Sequence, residues 1–230
     1  MKPSFVVVSC EHAGNKVPVT FSYLFRLERA VLVSHRGWDI GAFDIAKQMA
    51  SGLAVKCYHY DYTRLLIESN RSIDSDQLFS EYSEYLDRTV RKSLISTYYK
   101  PYRSSVTKHI KELTKLGNRV VHLSIHTFTP VWEGQNREVE IGLLFDEDRS
   151  LEAAFCQKVK FAMHGSTQNY QIRYNEPYKG SDDGFTTHLR KSFKSEEYLG
   201  VEIEINQKFD KLELAKISTL MIEAVKTSLL

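Results

Sequence analysis

Cysteine is scarce in this 230-residue chain: Cys10, Cys57 and Cys156 are odd in number and far apart. That excludes a disulfide frame and suggests buried thiols in a reducing compartment. Glycine (11) and proline (5) are too few and scattered for a collagenous or low-complexity chain, and no linker or repeat divides it. A single domain over residues 1–230 is expected. No apolar run approaches the roughly 18 residues of a membrane span. The run at Phe5–Ser9 is too short for a secretory signal and lacks its small-residue cleavage site, so a cytoplasmic location is expected. Neither sign of charge dominates. Lys plus Arg is 31 and Asp plus Glu is 29, a formal net charge of +2, which gives no basic surface for nucleic acid.

A core is present: 42% of the residues are hydrophobic, close to the usual share for a globular domain. Phe5 to Ser9 is a continuous valine-rich run, as in a buried parallel strand. Ile45, Met49 and Leu53 give helical spacing within Ile40–Leu53, and Val55 to Tyr60 is a second strand. Asp76 to Leu116 is a long tyrosine-rich helical stretch, expected to break or kink around Pro101. Further strands are expected at Arg119–Ile125, Val139–Phe145, Gln171–Tyr174 and Gly200–Ile205, with helices at about Ser150–Met163 and at Lys211–Leu229. Alternating strands and helices predict an α/β domain with a largely parallel or mixed sheet. Such folds place their sites at the carboxyl ends of strands.

Six segments carry residues suited to chemistry. Cys10-Glu11-His12-Ala13-Gly14-Asn15 runs from a strand into a turn that can present His12. Trp38-Asp39-Ile40-Gly41 precedes a helix, where Asp39 is either an N-cap or a metal ligand. His122 and His126 differ by an even step on a strand, so both can share a face. Two histidines and a carboxylate from separate segments would make a catalytic zinc set, with one position left open for water. Arg64 and Asn70-Arg71 lie in one loop-like stretch; they are surface ion-pair partners or a carboxylate clamp. Asn175 to Arg190 is a polar loop with flanking glycines, of the kind that covers sites. Glu202 and Glu204 alternate with Val201, Ile203 and Ile205. They form a solvent-facing pair on an edge strand, or one is a general base.

In order and spacing, these six segments resemble the N-formylglutamate amidohydrolase family. The resemblance implies a three-layer α/β/α domain with a mixed central sheet, similar to the zinc-dependent exopeptidases. A more distant likeness to zinc carboxypeptidases and aspartoacylases implies individual roles. Zinc, or another divalent metal, is implied at His12 and His126. Asn15 stands where those enzymes have a metal-binding Glu, so Asp39 is taken as the third ligand, with Glu11 in reserve. Glu204 is the implied proton shuttle and Arg64 the oxyanion partner. Asn70 and Arg71 are the implied carboxylate clamp, and Tyr178 and His188 are further substrate contacts. The implied reaction converts N-formyl-L-glutamate to formate and L-glutamate, a step of histidine catabolism in some of the family. The alternatives are an aspartoacylase- or carboxypeptidase-like hydrolase with another substrate, or an inactive binding protein on the same fold. A small-molecule partner is expected, with no nucleic acid and no membrane; the oligomeric state stays open.

Overall fold

A computed structural model describes residues 3–165 and 170–229. The first half of the chain holds β1 (Ser4–Cys10), α1 (Arg29–Leu32), α2 (Ala42–Gly52), β2 (Cys57–His59), α3 (Arg88–Leu94) and α4 (Lys100–Lys115). Then come β3 (Arg119–Phe128), β4 (Val131–Trp132), β5 (Gln135–Asn136), β6 (Ile141–Leu144) and α5 (Ser150–His164). The chain continues through β7 (Ile172–Tyr174), α6 (Phe185–Arg190), β8 (Tyr198–Asn206) and α7 (Lys211–Leu229).

Six strands form one sheet in the order β2-β1-β3-β8-β6-β7. The β2-β1-β3-β8 run is parallel. β6 runs antiparallel to β8 and parallel to β7, so the sheet is mixed. Parallel neighbours need long crossovers, and the helices are those crossovers, packed on the two faces. The result is a three-layer α/β/α arrangement.

The two faces differ in chemistry. On one face Val6, Val8, Val121, Leu123, Ile125, Val201 and Ile203 meet apolar residues of α2, α5 and α7 in one continuous core. The alternate residues form the other face, where Val7, Val120 and Tyr198 pack with Tyr102, Val106 and Ile110 of α4 and Phe185 and Leu189 of α6. Toward the carboxyl ends of the strands this second face turns polar. Ser9, Glu11, His122, Ser124, His126 and Glu204 are all buried there. The period-2 alternation of β3, Val-His-Leu-Ser-Ile-His, is the sequence trace of that division.

Two expectations are corrected and one is given its form. The helical stretch begins at Arg88, and residues 76–87 are turns. Within them the Ser80 hydroxyl accepts from the Tyr82 amide at 3.2 Å, a local bond that competes with helix, while the Ser80 and Ser83 hydroxyls tie the segment to the Leu65 carbonyl. The break or kink expected around Pro101 takes the form of a widened π turn at Ile95–Tyr99, after which α4 restarts at Lys100 with the proline in its first turn. Finally, β8 lies inside the sheet between β3 and β6, so Glu202 and Glu204 are not a solvent-facing edge pair. No helix among the described residues is long and apolar enough to cross a membrane.

Candidate active site

The site forms where five segments meet at the carboxyl ends of the parallel strands. His12 follows β1 by two residues. His126 lies within β3, two residues before its end, and pairs in register with Glu204 of β8. Asp39 comes from the turn before α2. Gly41, with φ of 90°, is the N-cap residue of that helix, and the Asp39 carboxylate does not cap it. That carboxylate turns instead to the histidines. Arg64 and Glu68 come from the segment after β2. On the far side of Glu204, Gly142 of β6 leaves room for the neighbouring loop: a Cβ there would lie 2.1 Å from the Glu176 carbonyl oxygen.

At the centre, Asp39 Oδ2 lies 3.1 Å from His12 Nδ1 and 2.9 Å from His126 Nδ1. These three residues offer ligand atoms that all lie within 4.8 Å of one another, and all three are buried. Each histidine has a second carboxylate on its other nitrogen. His12 Nε2 is 2.5 Å from Glu68 Oε1, and His126 Nε2 is 3.3 Å from Glu11 Oε2. Carboxylates in that position fix ring orientation and tautomer in metal sites. Glu11 is itself held, accepting from the hydroxyls of Tyr102 and Ser124. It therefore stands behind His126, one shell away from the position held in reserve for it as a ligand. Asn15 is not part of the cluster: its amide donates to the Leu32 carbonyl at 2.8 Å.

This arrangement suits a divalent cation. With Nε2 donating to a carboxylate, a neutral histidine turns an Nδ1 lone pair toward the Asp39 oxygen. Two acceptors then face each other, a contact that a cation between them resolves. Four carboxylates converge here (Glu11, Asp39, Glu68 and Glu204), and of the guanidiniums nearby Arg64 is the one ion-paired to them, with Arg71 also on the wall. Arg64 Nε donates to Glu68 at 2.8 Å and its Nη1 to Asp39 at 3.2 Å. Burial alone would raise the Glu11 carboxyl, yet bonding and charge from His126 hold it well below the usual range. Arg64 and His12 do the same to Glu68 against the same burial penalty. Glu204 is the exception. Burial, with Asp39 and Glu202 nearby, pushes it up to about 8 against the pull of His126 and Arg64. Its Oε2 is buried without a hydrogen-bond partner among the described residues. A buried carboxyl with an unused oxygen beside a cation site is poised to exchange a proton near neutral pH.

A cavity of about 170 Å3 opens over the cluster, lined by His12, Asp39, Arg64, Asn70, Arg71, His126, Tyr178 and Glu204, among others. Eight of the nine residues given a role by the resemblance thus meet on one wall. Asn70 and Arg71 also tie the segment after β2 to the loop before α6. Asn70 Oδ1 accepts from the Phe185 amide at 2.8 Å, and Arg71 Nη1 donates to the Asp183 carbonyl at 2.6 Å. Lys179 joins the lining. His188 does not line this cavity; its ring lies 6.4 Å from that of Phe185 on α6. Glu68, to which the sequence reading assigned no role, is the residue it missed. The four-residue spacing of Arg64 and Glu68 is a usable signal, since opposite charges so placed can pair within one turn of chain, as they do here.

Two solved structures are similar over nearly the whole chain. The gene product Atu2144 from Agrobacterium tumefaciens is 30% identical with a TM-score of 0.83, over 97% of this chain and 90% of that one. An N-formylglutamate amidohydrolase from Ralstonia eutropha JMP134 is 15% identical with a TM-score of 0.73, over 99% of this chain and 93% of that one. At that identity the second comparison shows the fold alone. No curated protein matches the chain. The model of one family, described as N-formylglutamate amidohydrolase, matches residues 4–209. That span includes every residue of the cluster, and the chain belongs to the N-formylglutamate amidohydrolase family, a family of amide-hydrolysing enzymes.

Proposed function

We propose that this amidohydrolase cleaves N-formyl-L-glutamate to formate and L-glutamate, with a zinc-class divalent ion held by His12, Asp39 and His126. The observation that carries the reading is the meeting of His12 Nδ1, Asp39 Oδ2 and His126 Nδ1 on the wall of a cavity that Arg71 and Glu204 also line. An ion there supplies two things: it makes water acidic near neutral pH, and it polarises an amide carbonyl. Glu204 accepts a proton from the attacking water and returns it to the leaving amine. Its unpartnered oxygen and raised proton affinity suit both halves of that exchange. Arg64, with Nε and Nη1 held by Glu68 and Asp39, keeps Nη2 to oppose charge developing on the carbonyl oxygen. Arg71 and Asn70 grip a substrate carboxylate, and Tyr178 closes one side. Glutamate supplies two carboxylates, and the cationic groups Arg71 and Lys179 lie on that wall to receive them.

The test is amine release from a panel of N-formyl amino acids by metal-loaded protein. Formylglutamate is expected to be the best substrate, and a chelator is expected to abolish turnover. Arg71→Ala is expected to raise KM mainly, because a carboxylate clamp acts in ground and transition states alike. Arg71→Lys should not restore it, since a lysine lacks the planar fork. Equal turnover of formylglutamate and an uncharged formyl amino acid would overturn the substrate assignment. Full activity and no bound metal would overturn the ion.

A further inference from the structure

A second cavity, of about 290 Å3, lies beside the first and shares Asp39, Arg64, Thr127 and Tyr178 with it. Its own walls include His35, Arg36, Phe128, Trp132 and Gln207. Trp132 reaches it from the β4–β5 hairpin, which leaves the end of β3 and pairs with no strand of the main sheet. The hairpin turns at Glu133 and Gly134, with φ of 50° and 77°, the positive pair of a type I′ turn. Both its strands are exposed, so it adds nothing to the core. Two-residue strands are not stable alone. Arg137, just after the hairpin, holds it down: its guanidinium lies 5.5, 5.2 and 5.3 Å from the rings of Phe128, Trp132 and Tyr178. Trp132 and Tyr178 nevertheless stay 50% and 42% exposed, large aromatic rings left uncovered at a cavity mouth.

We propose that this second cavity is the subsite for the acyl arm of the substrate and that it takes an aromatic acyl group, so that N-aroyl glutamates are substrates of this chain. The proposal rests on the reading of the first cavity as an N-acyl amino acid site. The two cavities meet at Asp39 and Arg64, the groups assigned to the reaction centre, so an amide held there has one arm in each. Arg71 and Asn70 place the amino acid arm in the first. A formyl group has only a hydrogen beyond its carbonyl and leaves the second empty. A cavity of about 150 Å3 is enough to hold benzene; this one is larger. Of the guanidiniums that line it, Arg36 is paired with Glu81, and Arg64 is held by Asp39 and Glu68 with its remaining nitrogen assigned to the reacting carbonyl. The Arg137 guanidinium is turned to the three rings at the mouth. The aromatic lining, already holding a delocalised planar group, favours an arene over a flexible acyl chain. In the reaction the amide C–N bond breaks and the oxygen of one water joins the carbonyl carbon. Both of that water's protons end on the amine nitrogen, giving a carboxylate and an ammonium.

The experiment measures kcat/KM for N-benzoyl-L-glutamate and for N-formyl-L-glutamate on wild type, Trp132→Ala and Trp132→Phe. Wild type is expected to hydrolyse both. The benzoyl-to-formyl ratio is expected to fall about tenfold or more in Trp132→Ala and to survive in Trp132→Phe, which keeps a ring. Hydrolysis of formylglutamate but not benzoylglutamate overturns the proposal and leaves the hydrolase reading intact. An unchanged ratio in Trp132→Ala also overturns it. Hydrolysis of neither overturns the underlying reading, and calorimetry then decides the subsite. Tighter binding of benzoylglutamate than formylglutamate, lost in Trp132→Ala, sustains it, and equal binding removes it.

Discussion

Along β1, β3 and β8 the two faces of the central sheet are built from the same strands, residue by alternate residue, yet they do different work. Val121, Leu123 and Ile125 belong to a continuous apolar core against α2, α5 and α7. Their neighbours His122, Ser124 and His126 are just as buried but sit in a hydrogen-bonded lane. His122 bridges the hydroxyls of Ser9 and Tyr198 at 2.7 and 2.8 Å, and Ser124 contacts both Glu11 and His126. Buried polar groups are costly unless each finds a partner. The lane is satisfied almost throughout, and the conspicuous exception is Glu204 Oε2 at its open end. One face thus supplies stability and the other aims side chains at a cavity.

The largest expected effect of breaking that division lies at the open end. Glu204→Gln preserves shape and removes the proton shuttle, so kcat is expected to fall by about 10²–10⁴-fold. Metal content and the KM for formylglutamate should change little. A Glu204→Gln protein with near-normal kcat would take the proton transfer away from this residue; if Glu202→Gln were inactive instead, the base would be one side-chain pair further back. Glu202 accepts from the Thr186 hydroxyl at 2.7 Å, so it already has a structural partner.

Adjacent residues of β3 offer a sharper comparison. Ile125→Ala opens a hole in the apolar core and is expected to cost about 2–5 kcal/mol of stability. Ser124→Ala removes the hydroxyl that links Glu11 to His126. It is expected to weaken metal affinity by about 10–100-fold, as loss of an orienting partner does, with a much smaller loss of stability. Glu68→Gln should weaken metal affinity by a similar factor, through His12. Urea unfolding and competitive metal titration on the three variants separate the effects. Parallel changes in both measurements for Ser124 and Ile125 would show that the faces do not divide the work.

Much of this was legible in the sequence because it is local. The valines of β1, the helical spacing within α2 and α7, and the run of β3 each reveal an element from a few consecutive residues. His12, Asp39, His126, Arg64, Arg71 and Glu204 were legible as candidates because each stands in an unusual polar segment at a strand or helix end. What was not legible is pairing between distant segments. The register that sets His126 beside Glu204 joins residues 78 apart, and no periodicity reports it. Glu11 and Glu68 look like ordinary acidic residues until the fold places each on a histidine nitrogen. Asp39 stayed ambiguous between cap and ligand because both readings suit a residue before a helix; Gly41 takes the cap position. The β4–β5 hairpin escaped because four residues in two pairs are too few for any alternation to register.

The smallest effect concerns the closed end of the polar lane, and it is a pH effect. Burial lowers the pKa of His122 to about 4 in the native state, with Arg190 and His126 adding to the push and Glu11 opposing it. An unfolded chain protonates this ring near 6.5. Between those values the unfolded state binds the extra proton, so stability rises with pH. The contribution of a neutral His122 is fully present above about pH 6.5 and is lost as pH falls toward 4. From pH 7 to pH 5 the loss is about 2 kcal/mol from this group alone. His122→Gln keeps hydrogen-bonding atoms for Ser9 and Tyr198 but cannot titrate. Its stability at pH 7 is expected to be lower than wild type through imperfect packing, while its decline from pH 7 to pH 5 should be shallower by up to that amount. Urea midpoints at the two pH values, converted with a common m-value, give the comparison. Identical declines in the two proteins would mean that His122 binds its proton alike in the folded and unfolded chains, and that burial in the lane does not shift it.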